Sequence, residues 1–446
     1  MEDMDPVRVR QISSHYRGHA GGFGVDVLAP RIIGRDVHLK QRVPGRPVSK
    51  LSPLERRAAF TLAGVISLRL FGLFLVLPVF SIYARAMPDA TPFLIGLALG
   101  VYGIGQMLLQ IPLGLLSDRI GRKPAITLGL TVFAAGGLVA ALSHTLTGVV
   151  IGRALQGMGA VAGAGTALAA DLTAEENRGK VMGIVGVSIG MSFLLALILG
   201  PPLEAVAGLS GLFGLTSMLA LVAIAMLWLR VPTPARVGRS AGARPGDVFV
   251  MLADRRLWVL NGSVFFLHAL LTASFVGLPI LLVDGLRIPV ASHWMLYLPV
   301  MVVAAAAMGV LLPRMRDDAR AARMVVGSVV AIGLALAGMA AAGTSAVALA
   351  VAATLFFGAF NLLEAALPSL VSRLAPASLR GAAMGAYATS QFFGAFVGGA
   401  IGGIALGRLG AHGVFAAAAA MTLVWLPLAL WGARRAVVLD SATNAT

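Results

Sequence analysis

The chain contains no cysteine and few charged residues. Of its 446 residues, 12% are charged and 58% are hydrophobic, and the mean hydropathy is +0.89. Soluble domains are about 25% charged and roughly 45–50% apolar. The lack of cysteine excludes disulfides, thiol catalysis and zinc bound by thiolates. No His-Glu-x-x-His pattern, phosphate-binding loop or metal-ligand cluster occurs, so we expect no metal, no ATP hydrolysis and no cofactor.

Apolar segments with few charges occupy most of the chain after residue 57. A bilayer crossing needs about 20 apolar residues in a helix, and the 54 glycines suit close helix contacts in lipid. We therefore predict an all-α membrane protein with twelve transmembrane helices. Their expected positions are 58–83, 92–117, 124–143, 147–170, 179–200, 211–229, 257–283, 292–312, 324–341, 345–370, 380–406 and 411–432.

An internal repeat divides these helices into two pseudo-symmetric halves. Leu77-Pro78 recurs as Leu278-Pro279, and Arg178-Gly179 recurs as Arg380-Gly381, at offsets of 201 and 202 residues. The expected domains are a disordered basic tail (1–56), a six-helix bundle (57–230), a linker (231–256), a second six-helix bundle (257–433) and a tail (434–446). A translation start assigned too far upstream would produce the same kind of N-terminal tail.

Basic residues fall almost entirely on one side of the predicted helices. The formal charge is +16, and 30 of the 35 Lys and Arg lie in the tails and in alternate loops, whereas Arg85, Arg287 and Arg408 lie on the other side. This bias predicts that both termini are cytoplasmic. Because the cations lie between apolar segments, they indicate orientation in a lipid bilayer rather than binding of nucleic acid. We also expect the protein to be a monomer.

The ten residues from Gly114 to Lys123 carry the most specific pattern. They read Gly-Leu-Leu-Ser-Asp-Arg-Ile-Gly-Arg-Lys, and their charges exclude them from hydrocarbon. Gly121 is expected to supply a turn that residues with a Cβ resist. An ordinary basic loop would explain the cations but not Asp118 or the glycine spacing. The segment resembles the signature loop between helices 2 and 3 of the major facilitator superfamily, carried here by Gly114, Asp118, Arg119, Gly121, Arg122 and Lys123.

This resemblance implies a conformational latch on the cytoplasmic side. Arg122 would pair with Asp171 at the end of helix 4, and Asp118 would face the N-terminus of helix 11 near Gly381, where the helix dipole favours an anion. The latch would hold the outward-open state and break when the two halves rock. The alternative is a static contact that only aids folding.

Two further stretches resemble motifs of the same superfamily. Arg153-Ala-Leu-Gln156-Gly157-Met-Gly159-Ala160 in helix 4 matches a motif whose arginine is associated with proton coupling, and a purely structural arginine is the alternative. Gly186, Gly190, Gly200 and Pro201 in helix 5 match an antiporter motif, although Leu203-Glu204 replace two glycines. Gly186-x-Ser188-x-Gly190 also matches a hydrolase pattern, but that pattern requires a strand before it, and here it lies in an apolar helix.

Ionisable residues within apolar helices are candidate functional groups. Glu364 in helix 10 is our first candidate for the proton carrier, because weakly polar surroundings favour a protonated carboxyl group. Arg153, His268 and Arg69 are further candidates for proton coupling, although histidines in helices more often have structural roles. The substrate cavity is expected to include Tyr102, Gln106, Gln110, Gln156, Tyr297, Asn361, Tyr387 and Gln391; polar residues also join helices in membranes without binding substrate.

From Pro53 to about Arg435 the sequence resembles the YajR-like transporters of the drug:proton antiporter branch. The matching stretches include Ser67-Leu-Arg69, Gln110-Ile-Pro112 and Phe360-Asn-Leu-Leu-Glu364. The resemblance implies alternating access in a bacterial inner membrane. The transporter after which this group is named has a ferredoxin-like domain after helix 12. The present chain ends about 14 residues after its last predicted helix, so we expect no counterpart of that domain.

The function predicted is proton-coupled export of small molecules, driven by the proton gradient. One alternative is a nutrient or metabolite symporter, because the fold does not set the direction of transport. The other is a membrane sensor or scaffold that transports nothing. The charge of the substrate is not predicted, because Arg69 and Arg153 favour anions whereas Glu364 favours cations.

Overall fold

The computed structural model describes residues 50–233, 245–315 and 317–444, which consist mostly of helices and contain no strand. Most of the expected N-terminal tail, residues 234–244 of the expected linker and the last two residues lie outside this part of the chain. The described helices are α1 (Pro53–Leu75), α2 (Phe80–Ala84), α3 (Pro92–Ile120), α4 (Arg122–Leu142), α5 (Leu146–Met158), α6 (Ala162–Asp171), α7 (Arg178–Arg230), α8 (Pro245–Ala253), α9 (Trp258–Ile280), α10 (Trp294–Leu311), α11 (Asp318–Ala341), α12 (Ala346–Leu374) and α13 (Arg380–Asn444).

Nine helical segments of the described chain are long and apolar enough to span a membrane. Two of them, α7 and α13, contain 53 and 65 residues, far more than a crossing of about 20 residues needs. Each is interrupted by one glycine with a positive φ: Gly208 has φ 68° and ψ 176°, and Gly410 has φ 71° and ψ −172°. The count of twelve crossings stays a prediction.

The chain reverses at both glycines, because the two arms of each long helix contact the same neighbour. Ser192, before Gly208, donates a hydrogen bond to the Ser67 carbonyl of α1 over 3.3 Å. Thr216, after Gly208, donates to the Gly72 carbonyl of the same helix over 3.0 Å. In α13, both Gly394 and Trp425 lie against α9. Glycine suits these reversals because side chains resist positive φ.

The predicted helix 147–170 is not continuous, since α5 ends at Met158 and α6 begins at Ala162. At the break Gly159 packs closely against α4, since an added Cβ would lie 2.4 Å from the Gly129 carbonyl oxygen. An interrupted helix is tolerated in a membrane only where the freed backbone groups find partners. The first predicted helix is also interrupted, between α1 and α2, around Pro78.

Two helical boundaries differ from expectation. Within the expected linker, α8 forms and buries Val248 and Met251 against the second half. An apolar pair three residues apart lies on one helical face, which explains why this short segment packs instead of extending into water. At the other end, α13 continues to Asn444 rather than stopping near residue 432.

The two halves meet near one face of the molecule. We call the side that carries residues 118–123 the loop face and the opposite side, with Arg85 and Asp284, the distal face. Close to the distal face α3 and α13 touch backbone to backbone: a Cβ on Gly100 would lie 2.8 Å from the Phe396 carbonyl oxygen. Ser81 also donates a hydrogen bond to the Phe275 carbonyl over 3.0 Å. The distal face is therefore closed in this conformation.

Candidate functional site

The signature loop is organised around Arg122, whose side chain is 3% exposed. Its Nε donates to the Asp171 carboxylate over 3.1 Å, and one terminal nitrogen donates to the Ser117 hydroxyl over 2.7 Å. Asp118 forms an ion pair with the same guanidinium. Gly121 adopts φ 95°, which agrees with the expected glycine turn. Arg122 thus joins the ends of α3 and α6, and its pair with Asp171 is the one that the resemblance implied.

The second predicted contact of the latch, between Asp118 and the helix N-terminus near Gly381, is not among the contacts of the described residues in this conformation. Within the described chain Asp118 pairs with Arg122, and a Cβ on Gly381 or on Gly114 would meet no atom within 4 Å. The latch role of Asp118, and of the exposed Arg119, stays a prediction.

Lys123 connects the loop to the end of α7. Its Nζ donates to the Val231 carbonyl over 2.5 Å and lies 5.4 Å from the centre of the Trp228 ring. Both contacts stabilise a cation. The loop therefore contacts α6 through Arg122 and α7 through Lys123, so a displacement of the loop would affect both helices.

Arg69 lies at the break between α5 and α6 and is 4% exposed. One terminal nitrogen donates to the freed Gly159 carbonyl over 3.2 Å and to the Tyr102 hydroxyl over 2.7 Å. Gln106 donates to the same hydroxyl over 2.6 Å. Arg69 thus satisfies a backbone group that the helix break would otherwise leave unpaired, a role that the sequence did not reveal.

Arg153 lies on the other side of Tyr102. It is 2% exposed, donates to the Ala98 carbonyl over 3.2 Å and to the Gln156 amide oxygen over 3.1 Å, and lies 5.3 Å from the centre of the Tyr102 ring. Neither Arg69 nor Arg153 forms an ion pair with a carboxylate in the described chain. Backbone carbonyls and the Tyr102 ring contact the two guanidinium groups instead of a carboxylate. This arrangement is compatible with both the structural and the functional interpretations of Arg153.

The second half holds a separate titratable cluster formed by three helices. Gln391 Nε2 of α13 lies 2.7 Å from His268 Nε2 of α9, and the Glu364 carboxylate of α12 lies 3.7 Å from the same histidine nitrogen. When the Gln391 amide donates to Nε2, the histidine proton lies on Nδ1, which is 3.3 Å from the Val264 carbonyl oxygen. The cluster brings together Glu364 and His268, which the sequence singled out individually.

A single aromatic contact connects the two clusters. Phe392 follows Gln391 in α13, and its ring lies 6.4 Å from the ring of Tyr102, which both arginines contact. The Phe392 carbonyl also lies against Gly103 of α3. The arginine cluster and the histidine–glutamate cluster are therefore neighbours across the interface between the halves.

The remaining predicted cavity residues are distributed more widely. Tyr297 and Tyr387 are 1% and 3% exposed, and their hydroxyls have no hydrogen-bond partner in the described chain. The same holds for the buried amide oxygen of Gln110. Asn361 lies one turn before Glu364 on a common face of α12. Their cavity role stays a prediction.

The predicted helix 5 motif lies in the first arm of α7. Gly200 is in close contact with α1, since a Cβ there would lie 2.6 Å from the Leu75 carbonyl oxygen, and it precedes Pro201. A Cβ on Gly186 or Gly190 would meet no described atom within 4 Å. Ser188 donates to the Val185 carbonyl over 2.7 Å within a continuous helix, and this geometry lacks the strand–turn–helix context of a nucleophile.

Two charged contacts at the distal face were missed by sequence reasoning. Arg85 binds Asp284 with two hydrogen bonds, one of 3.0 Å, and so joins the two halves; this pair raises the pKa of Arg85. Asp89 accepts from the Thr147 hydroxyl and from the Leu146 and Thr147 amides, and the hydroxyl contributes most to lowering the pKa of Asp89. Residues 85 and 284 are too far apart in sequence for spacing to indicate their contact.

The chain belongs to the major facilitator superfamily, whose sequence profile matches residues 62–399. Among its relatives is the inner membrane transport protein YajR of Escherichia coli (strain K12), which is 44% identical over 382 residues, covering 85% of this chain and 84% of YajR. An uncharacterized transporter of Buchnera aphidicola subsp. Baizongia pistaciae is 30% identical, covering 83% of this chain and 95% of that protein.

Solved structures agree on the fold. A bacterial homolog of the human lysosomal transporter Spinster, in an inward-facing and occupied conformation, has a TM-score of 0.69 at 14% identity, covering 88% of this chain and 99% of that chain. The nucleoside transporter NupG has a TM-score of 0.67 at 15% identity, covering 85% and 99%. Membership of this superfamily and the similarity to YajR make the protein a multi-pass membrane transporter and not an enzyme, which excludes the hydrolase interpretation of Ser188.

Proposed function

We propose that this transporter exports a small molecule from the cytoplasm in exchange for protons, by alternating access, with both termini cytoplasmic and the loop face on the cytoplasmic side. The observation that carries the proposal is the position of the His268–Gln391–Glu364 cluster. It lies next to Phe392, a residue that packs across the interface between the halves. Two halves with a site between them are the architecture of alternating-access transporters.

The hydrogen bonds of the cluster suggest how a proton affects this interface. While His268 accepts from Gln391, its Nε2 carries no proton. A proton arriving on Nε2 would instead be shared with Glu364, 3.7 Å away, because the resulting imidazolium is attracted by the carboxylate. Gln391 would then have to turn its amide oxygen toward the histidine or leave it.

The change at Gln391 is transmitted to α13, since Phe392 is the next residue. A shift of Phe392 alters contacts with Tyr102 and Gly103 of α3, which hold the distal face closed. Protonation of the cluster would thus bias the equilibrium between the two access states, and only such a difference between states couples a proton to transport. Protons and one small-molecule substrate are the ligands in this scheme, with no cofactor and a monomeric protein.

Proton movement in everted membrane vesicles tests this proposal. An acid-interior gradient is set, and lipophilic cations and small anions are added one at a time. We expect substrate-specific collapse of the gradient, lost in Glu364→Gln but kept in Glu175→Gln, a matched change at an exposed carboxylate on the loop face. Transport that stays proton-dependent in Glu364→Gln would show that the His268–Glu364 pair is not needed for proton coupling and would contradict the proposal.

The same assay separates antiport from symport. Antiport predicts that substrate addition releases protons from the acidic interior, whereas a symporter would move protons and substrate in the same direction. No response from correctly inserted protein across the whole panel would contradict export of these two substrate classes.

A further inference from the structure

A groove of about 990 Å³ lies on the outer side of the second half, away from the site between the halves. All of its lining residues belong to α10, α11 and α12. It contains no residue of the first half and neither Glu364 nor His268. Leu362, which lines the groove, and Glu364 are two positions apart on α12, so their side chains point about 200° apart around the helix.

The floor and walls of the groove are apolar and open. A Cβ on Gly327 or on Gly358 would meet no described atom within 4 Å, so the absent side chains leave room there. Val351 and Leu355 on its wall are 64% and 42% exposed. From Ala350 to Leu362 the helix rises about 18 Å, close to the roughly 15 Å of hydrocarbon in one leaflet. The groove has the length and polarity to hold one acyl chain.

Two arginines stand at the loop-face end of this apolar groove. Arg320 and Arg323 both line it, on the first turns of α11. Arg320 is 3.7 Å from Asp317, but both side chains are half exposed, and such pairs contribute little free energy. Asp318 is occupied by Arg373 at 3.5 Å. Arg323 forms no hydrogen bond or ion pair within the described residues, so the end of the groove has net positive charge.

We propose that this groove binds one anionic phospholipid. Its phosphate would lie between Arg320 and Arg323, and one acyl chain would pass over Gly327 and Gly358. Basic residues at the end of an apolar groove between transmembrane helices have the charge and shape that anionic lipid headgroups require. A soluble substrate does not fit this surface, because the walls face the hydrocarbon of the bilayer rather than the space between the halves.

Native mass spectrometry of the full-length, lipid-stripped protein tests the proposal. The protein is titrated with dioleoylphosphatidylglycerol and, separately, with dioleoylphosphatidylcholine. One phosphatidylglycerol should bind about thirtyfold more tightly than phosphatidylcholine, since each arginine near an anionic surface contributes about fivefold. Arg320→Gln together with Arg323→Gln should remove this preference. Arg287→Gln with Arg408→Gln, which removes the same charge from exposed sites outside the groove, should keep it.

A second variant tests the acyl-chain part of the site. Gly327→Leu with Gly358→Leu fills the groove without changing charge, and it should weaken binding of both lipids. The cap of α11 uses the Arg320 backbone amide and the Asp317 side chain, so the double arginine variant should stay folded. If it does not, Arg323→Gln alone should weaken the binding of phosphatidylglycerol about fivefold. Unchanged lipid binding in folded arginine and glycine variants would overturn the proposal. Displacement of the lipid by millimolar inorganic phosphate would also overturn it, since the site would then bind free anions.

Discussion

The backbone contact between α3 and α13 should control which face of the transporter is open. Replacing Gly96 with alanine places a Cβ against the Gly399 carbonyl, well inside the 3.0 Å limit that real Cβ contacts respect. The helices would have to separate by about 1 Å to restore ordinary van der Waals distance. Overpacking of this kind costs about 1–3 kcal/mol, which shifts a two-state equilibrium about 5- to 150-fold away from the distal-closed conformation.

The absence of cysteine makes this shift measurable. Ser81 is fully buried between the halves, so Ser81→Cys gives one nearly isosteric thiol that reacts only when the distal face opens. In proteoliposomes, Gly96→Ala should raise its rate of labelling by a water-soluble maleimide by the same 5- to 150-fold. Gly214→Ala is the matched control, because a Cβ there meets no described atom within 4 Å.

Equal labelling rates in folded Gly96→Ala and in the parent would refute this reasoning. The methyl group would then be accommodated without separation of the halves. Faster labelling in Gly214→Ala as well would point instead to a general effect of alanine on helix stability.

Three further predictions follow from individual contacts. Asp284→Asn removes a half-exposed ion pair with Arg85, worth up to about 1 kcal/mol, so labelling of Ser81→Cys should rise by no more than about fivefold; exchanging the two charged residues should reverse the effect. Arg69→Met leaves the Gly159 carbonyl unpaired and should destabilise the protein by about 1–3 kcal/mol, which an unchanged melting temperature in detergent would contradict. Since the pKa of Asp89 is lowered in the folded state, its stabilising contribution is complete above the ordinary aspartate pKa and is lost as the pH falls through the lowered value; a pH titration of the melting temperature should lose this component in Asp89→Asn.

The sequence predicted those features that depend on local chemistry. The turn at Gly121 was expected from the charges and glycine of the loop, and the Arg122–Asp171 pair was implied by the resemblance to the superfamily; both are present. The all-helical membrane fold followed from hydropathy, because each apolar segment must satisfy its own backbone hydrogen bonds in lipid. The turn and the helices need only neighbouring residues or the bilayer to define them, whereas the Arg122–Asp171 pair joins residues 49 positions apart and was indicated only by the resemblance.

Features that depend on contacts between distant helices were not predictable. The break at Gly159 lies where α4 approaches too closely for a Cβ, and Arg69 has a structural role there that its position in a hydrophobic helix did not indicate. Gly157 and Gly159, two positions apart, were a signal of close approach that we took only as part of a motif. The Gln391–His268 contact spans 123 residues, and no periodicity indicates such a pair.

The glycines at which α7 and α13 reverse also show how the two halves divide their chemistry. Gly208 and Gly410 are 202 residues apart and adopt nearly the same dihedral angles. They therefore mark equivalent positions in the two halves, even where the side chains of the halves differ. Counted by this interval, Glu364 corresponds to Ala162 and Arg153 corresponds to Leu355. The first half contributes buried cations and the second a titratable pair. A symmetric assembly of either half with itself would therefore lack one of the two clusters.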